Sequence, residues 1–209
     1  MAVRRRFLVL GHDATVDPSF SLGDLAGGAG RMDVLVRVLT NALCVSHGVR
    51  TDTEVWLALV GDDERGPRTV RFDGASVRNL NPDERSAAAL VKKALAVDVV
   101  PNGVFEPAHP GVSVAEMPYS EAVVRFSEAG PVVLLDREGE DLRAAADETL
   151  GMTGGAPGFV LSDHRPLAQE EHDDAFRVAE GRRVSVGPEW LQGHQVVTLV
   201  HDELDRRGR

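Results

Sequence analysis

The chain has 209 residues, 43% of them hydrophobic and 27% charged, an ordinary globular composition with material for one sizeable core or two small ones. Acids outnumber lysine and arginine by 33 to 23, the formal net charge is −10, and the only lysines are Lys92 and Lys93. No apolar run approaches the roughly 20 residues of a membrane helix, and the single cysteine, Cys44, excludes an internal disulfide and suits a reducing cytoplasm.

The basic start before Phe7-Leu8-Val9-Leu10 breaks at Gly11-His12-Asp13, too short for a secretory core, so Arg5 to Leu10 is expected as a buried strand. Residues 12–30 carry Gly23, Gly27, Gly28 and Gly30 and read as a long loop. Its glycines lack a preceding strand and a following Lys-Ser/Thr, which argues against a phosphate-cradling loop. Met32 to Val45 has the wide apolar face of a helix, opened by Asp33 and closed by Gly48. Arg31, Asp33 and Arg37 crowd its entrance. They fit either a grip on phosphate and a base edge or a plain i, i+4 ion pair on a solvated face.

Glu54 to Val60 and Thr69 to Phe72 read as strands around the polar turn 61–67. Asn81-Pro82-Asp83-Glu84 should open a helix to about Ala96, with Asn81 as its cap. Residues 98–111 form an irregular break, followed by a short strand at Val112 to Ala115 and a helix over Tyr119 to Ala129. A buried strand is expected at Val132 to Leu135 and an acid-opened helix at Asp141 to Leu150. The last stretch holds two apolar runs, Phe159-Val160-Leu161 and Val184-Ser185-Val186, each followed by a turn cluster and a helical pattern. That cadence is α/β with a parallel sheet, whose ligands sit at strand carboxyl ends. The loops there are Ser162-Asp163-His164-Arg165-Pro166 and Gly187-Pro188-Glu189.

Local chemistry is sparse. His172-Asp173-Asp174 and Asp163-His164 lack the spacings of a metal site, and no metal is expected. There is no Gly-x-Ser-x-Gly elbow, and Cys44 belongs to the apolar helix face. Asp163-His164 fits a functional loop pair and a backbone-satisfying cap equally well. The acid-rich, lysine-poor composition fits a protein adapted to concentrated salt, where the Debye length falls to about 3 Å at 1 M; an arginine-rich genome and a moderately acidic protein is the alternative. In high salt, negative net charge loses most of its force against an RNA partner.

Several stretches in order carry a resemblance: Gly30-Arg31-Met32-Asp33-Val34-Leu35-Val36-Arg37, Ser46 to Asp52, Asn81 to Arg85, Leu135 with Gly139-Glu140-Asp141, Ser162-Asp163-His164, Val184 to Leu191, and Val197 to His201. Together they resemble the archaeal tRNA pseudouridine-54 N1-methyltransferases of the SPOUT class, collinearly over nearly the whole chain. The resemblance implies a single domain, 1–209, with a Rossmann-like parallel sheet and a C-terminal deep trefoil knot. It also implies a cytoplasmic homodimer that binds S-adenosylmethionine and acts on tRNA, with no membrane association. The cofactor residues it implies are Leu135, Ser162, Val186, Gly187, Pro188, Glu189, Trp190, Leu191 and Val196. Ser162 and Val196 depart from the family pattern, which has Gly and Cys there. It implies catalytic roles for Asp33 and Arg31 and substrate contacts from Arg31, Arg37 and His47. Methylation of another RNA nucleoside and a non-catalytic RNA-binding role are the alternatives the same fold permits.

Overall fold

A computed structural model describes residues 4–62 and 64–208. In chain order it contains β1 (Arg5–Gly11), α1 (Met32–Leu43), β2 (Cys44–Val45), β3 (Gly48–Val49), β4 (Thr53–Leu59), β5 (Arg68–Asp73) and α2 (Glu84–Leu95). There follow β6 (Glu106–His109), β7 (Val112–Glu116), α3 (Tyr119–Glu128), β8 (Val132–Asp141), β9 (Gly158–Ser162), α4 (Gln169–Val178), β10 (Arg183–Ser185) and α5 (Gly193–Arg206). Eight strands form one sheet in the order β10-β8-β9-β1-β4-β5-β7-β6, while β2 and β3 make a separate small hairpin.

From β10 to β4 every pairing is parallel; β5, β7 and β6 continue the sheet antiparallel. The expected parallel sheet is therefore a mixed one. The reason is the length of the 60–67 connection, which suits a hairpin, whereas a parallel crossover takes a dozen or more residues. β1 is buried along its whole length, as a central strand covered on both faces must be. Phe7 and Val9 pack with α1, α2 and α5, and Leu8 and Leu10 with α3 and α4.

Three local expectations are corrected. Helix α1 stops at Leu43, and Gly48 lies in the β2–β3 hairpin rather than at a helix cap. Helix α2 is capped by Asp83 and not Asn81: the Asp83 carboxylate accepts the Ser86 N–H at 2.8 Å. No helix forms over Asp141 to Leu150, because β8 runs on to Asp141. The Asp141 carboxylate then accepts the N–H groups of Arg143 and Ala144 in a turn, and the Leu142 N–H is taken by Ser185 O at 2.8 Å. At the same place β10 passes so close to β8 that a Cβ on Gly139 would stand 2.6 Å from the Val184 backbone.

The two ends of the chain are joined by a buried cation. Arg5, 1% exposed, reaches Asp205 at 2.6 Å and His201 Nδ1 at 3.1 Å, with Asp52 at 3.5 Å. Burial and the nearby Arg50 and Arg5 push the His201 pKa down to about 3. A neutral ring that donates from Nε2 to Ala42 O at 3.0 Å and accepts from Arg5 at Nδ1 satisfies both contacts.

A candidate active site at the carboxyl ends of the parallel strands

The carboxyl ends of β8, β9 and β10, the first turn of α5 and the entrance of α1 enclose a cleft of about 430 Å³, within the size range of small-molecule sites. Leu135, Leu161, Val184, Val186, Leu191, Val196 and Val34 give it apolar walls. Its polar lining includes four arginines (Arg31, Arg37, Arg137, Arg165) and three acids (Asp136, Asp163, Glu189), and three of the arginines are paired with carboxylates just outside the lining.

Backbone geometry shapes the cleft. Gly187 has φ +140 and no atom within 4 Å of an added Cβ, so the loop there faces open space that a side chain would fill. Ser185 Oγ holds this turn, donating to Gly187 O at 3.0 Å and accepting its N–H at 3.2 Å. Gly193 lets α5 begin against Val38, Leu161 and Ser162 O. This lining of apolar walls, loop backbone and a glycine-made space fits an adenosine-bearing cofactor.

The α1 entrance is strained. Arg31, its N-cap, sits at φ 64 after Gly30 at φ 60, and a Cβ at Gly30 would lie 1.8 Å from Asp13 O. A non-glycine residue held left-handed costs about 1 kcal/mol or more and points to function. The strain places the Arg31 guanidinium against Asp33, with Nε–Oδ1 at 2.9 Å and Nη2–Oδ2 at 3.2 Å. Arg37 reaches the same Oδ2 at 2.9 Å and gives its Nε to Glu84 at 2.7 Å. Hydrogen bonding from Arg31, reinforced by both positive charges, outweighs burial and holds the Asp33 carboxyl below the usual range.

On the other flank, His12 joins the cleft loop to α4. It donates its backbone N–H to Asp163 at 2.8 Å, and its ring bridges Asp163 (2.9 Å) and Glu171 (3.1 Å). Burial favours the neutral ring, but the two carboxylates together outweigh it and raise the His12 pKa. His164 lies 3.3 Å from Asp13, which also pairs with Arg165 at 2.8 Å. Of the two expected uses, the capping one is seen: Asp163 satisfies backbone N–H groups, that of Arg165 among them, and it also lines the cleft.

Of the expected site residues, Leu135, Ser162, Val186, Gly187, Glu189, Trp190, Leu191, Val196, Arg31 and Arg37 line this one cleft. Asp33 lies behind its wall, bound to both arginines. Pro188 is exposed in the loop and is not among the lining residues. His47 is exposed at the tip of the β2–β3 hairpin, outside the cleft. Sequence reasoning missed Asp136, Arg137, Gln192 and Gly193 in the lining, and His12 and Glu171 behind it. Gln192 and Gly193 follow the loop already singled out and were within reach of its signal; His12 and Glu171 are 159 residues apart and had none. Among the described residues, no group of three or more His, Cys, Asp or Glu could hold a metal ion.

A protein-family model described as "Putative SAM-dependent RNA methyltransferase" matches residues 4–208. A curated protein of Halobacterium salinarum named tRNA (pseudouridine(54)-N(1))-methyltransferase is 43% identical, over 98% of this chain and 97% of its own. Proteins of the same name from Methanocorpusculum labreanum and Haloferax volcanii are each 40% identical, over 97% and 98% of both chains respectively. Among solved structures, Archaeoglobus fulgidus Nep1 bound to S-adenosylhomocysteine shares the fold, with a TM-score of 0.66 at 14% identity over 99% of this chain and 100% of that one. With the family model matched almost end to end and relatives this similar over both whole lengths, the chain belongs to this family of S-adenosylmethionine-dependent RNA methyltransferases.

Proposed function

We propose that the protein methylates N1 of pseudouridine 54 in the T-loop of tRNA, with S-adenosylmethionine as methyl donor. The observation that carries this reading is the meeting, in one cleft, of an adenosine-sized apolar site and the guanidiniums of Arg31 and Arg37, both held from behind the wall by Asp33, in a chain whose relatives bear that name. S-adenosylmethionine, when bound, supplies the electrophilic methyl carbon. Leu135, Ser162, Val196 and the 186–191 loop are assigned to hold it, and Arg31 and Arg37 to hold the RNA.

Positioning is the protein's main task, since the reacting carbon comes with the cofactor. Asp33 is 3% exposed, and its carboxylate takes three arginine N–H groups, with the Val34 backbone N–H bonding to it as well, so its roughly four acceptor sites are committed within the protein. A carboxylate held this acidic is a weak proton acceptor, so Asp33 acts by orienting the two guanidiniums that line the cleft.

The finer features implied by family resemblance belong to the same proposal. The tight crossing of Gly139 over Val184, with α5 returning to α1 after the edge strand β10, supports a C-terminal knot. The enzyme is read as a cytoplasmic homodimer, with its acidic surface an adaptation to salt. The test is single-turnover methylation of a T-arm RNA carrying pseudouridine or uridine at position 54. Transfer to the pseudouridine RNA alone is expected, because uridine presents carbon where pseudouridine presents N1–H; equal rates on both would overturn the assignment.

A further inference from the structure

We propose that Trp190 and Arg137 form a stacking platform at the mouth of the cleft for a base of the RNA next to the target nucleoside. The proposal rests on the RNA methyltransferase reading and adds a substrate-positioning site to it. The two tryptophans of the chain lie in opposite environments. Trp56 is 6% exposed and donates to Glu54 at 2.8 Å. Trp190 is 73% exposed, more than any other exposed large hydrophobic side chain among the described residues. It stands on the loop between Gly187 and the half-buried Leu191, both of which line the cleft.

Its neighbour is an arginine of a particular kind. Arg31, Arg37 and Arg165 on the same cleft are each paired with a carboxylate. Arg137 is exposed, and its one described interaction is with the indole, its Cζ 5.9 Å from the ring centroid. On a chain with 33 acids to 23 lysines and arginines, a cation left without a carboxylate is poised for an anion from outside. An indole face held in water beside a free guanidinium is the arrangement by which single-stranded nucleic acid is held: the base stacks and the cation meets the phosphate. Trp190 lines the cleft at one edge, and its exposed ring is open to a base arriving from solvent.

The test uses the full-length protein and a T-arm RNA carrying pseudouridine, with S-adenosylhomocysteine in the binding experiments. RNA should quench the intrinsic fluorescence of the wild type, and Trp190→Phe should remove most of that change, since Trp56 is buried. Trp190→Ala should raise the KM for RNA by roughly 5- to 100-fold, the range of one lost base stack, with Trp190→Phe restoring most of it. Arg137→Gln should raise the same KM and lessen its dependence on salt. Trp190 and Arg137 also line the cleft assigned to the cofactor, so cofactor affinity is measured by calorimetry in all three variants, and the rise in KM for RNA should exceed any loss of cofactor affinity several-fold. An unquenched indole with unchanged KM overturns the platform. So does a Trp190→Ala loss confined to cofactor binding, or one that appears in sedimentation as dissociation of a dimer. Quenching is read whether or not methyl is transferred, and wild-type methylation of the same RNA is followed in parallel, so a failure of the functional reading is seen separately.

Discussion

Replacing Asp33 by Asn keeps the size of the side chain and removes the charge that organises the α1 entrance. In the folded protein the carboxylate receives three N–H groups, two from Arg31 and one from Arg37. An amide keeps one oxygen and turns an NH2 towards donors. Each charge-assisted bond is worth about 1.5–3 kcal/mol in a protected setting. Here the two arginine side chains are 40% and 36% exposed, so solvent screening brings the expected loss of stability down to about 1–2 kcal/mol. Glu84 still holds Arg37 Nε at 2.7 Å, and Arg31 becomes the mobile partner. Methyl transfer should then fall by roughly 10²-fold or more, about 2.7 kcal/mol of barrier, from the lost alignment of the base. Cofactor affinity should stay within a few-fold, because Asp33 does not line the cleft. Single-turnover methylation beside calorimetric titration with S-adenosylmethionine measures both. A fully active Asp33→Asn enzyme, or one whose defect lies wholly in cofactor binding, would refute the reasoning.

Three further outcomes are expected. Gly187→Trp should abolish S-adenosylmethionine binding in calorimetry while far-UV circular dichroism stays native, because Gly187 lines the cleft and sits at φ +140, where a side chain is strained but meets no neighbouring atom; unchanged affinity would remove this loop from the cofactor site. The folded-state pKa of His12 is raised above the ordinary histidine value of about 6.5, so its stabilising contribution is complete below that value and is lost as pH rises through the folded pKa. The difference in Tm between wild type and His12→Gln should accordingly shrink from about pH 6 to pH 9, and a difference that grows with pH would contradict the sign. Sedimentation in molar potassium chloride should show a dimer that dissociates or unfolds as salt falls towards tenths of molar, since subunits of net charge −10 need screening to associate; a stable monomer at high salt would contradict the dimer.

The elements that were legible in the sequence are those whose burial is written locally. Arg5 to Leu10 reads as a core strand because its apolar residues are contiguous, and the loops after β9 and β10 mark the cleft because strand ends in such sheets do so by topology. Asp141 to Leu150 misled because acids before an apolar residue open helices and turns alike; what decides is Ser185, 43 positions from Leu142, taking the N–H a helix would have left free. The Cys44 to Val49 hairpin has two-residue strands, too short for a period to show. In the site, Asp33 was visible with its arginines because all three share one helix entrance. His12, Asp163 and Glu171 come from three elements, and nothing local in any of them announces the others.

The pairing of Arg5 with Asp205 and His201 has a consequence for how this protein is made. The first strand fills the middle of the sheet, yet the charge at its start meets two of its partners only in the last helix, 196 and 200 residues later. A nascent chain that has already assembled β1, β4 and β5 has Asp52 at 3.5 Å from that guanidinium but not yet the closer Asp205 contact, and a buried charge is costly until its pairing is complete. The cleft waits for the same helix, whose first turn is one of its walls. The native state is therefore sealed at both ends of α5 in one late, long-range event, of the kind that makes folding slow. A chain released short of Gly193 would lack, together, the Asp205 and His201 contacts of Arg5 and one wall of the cleft.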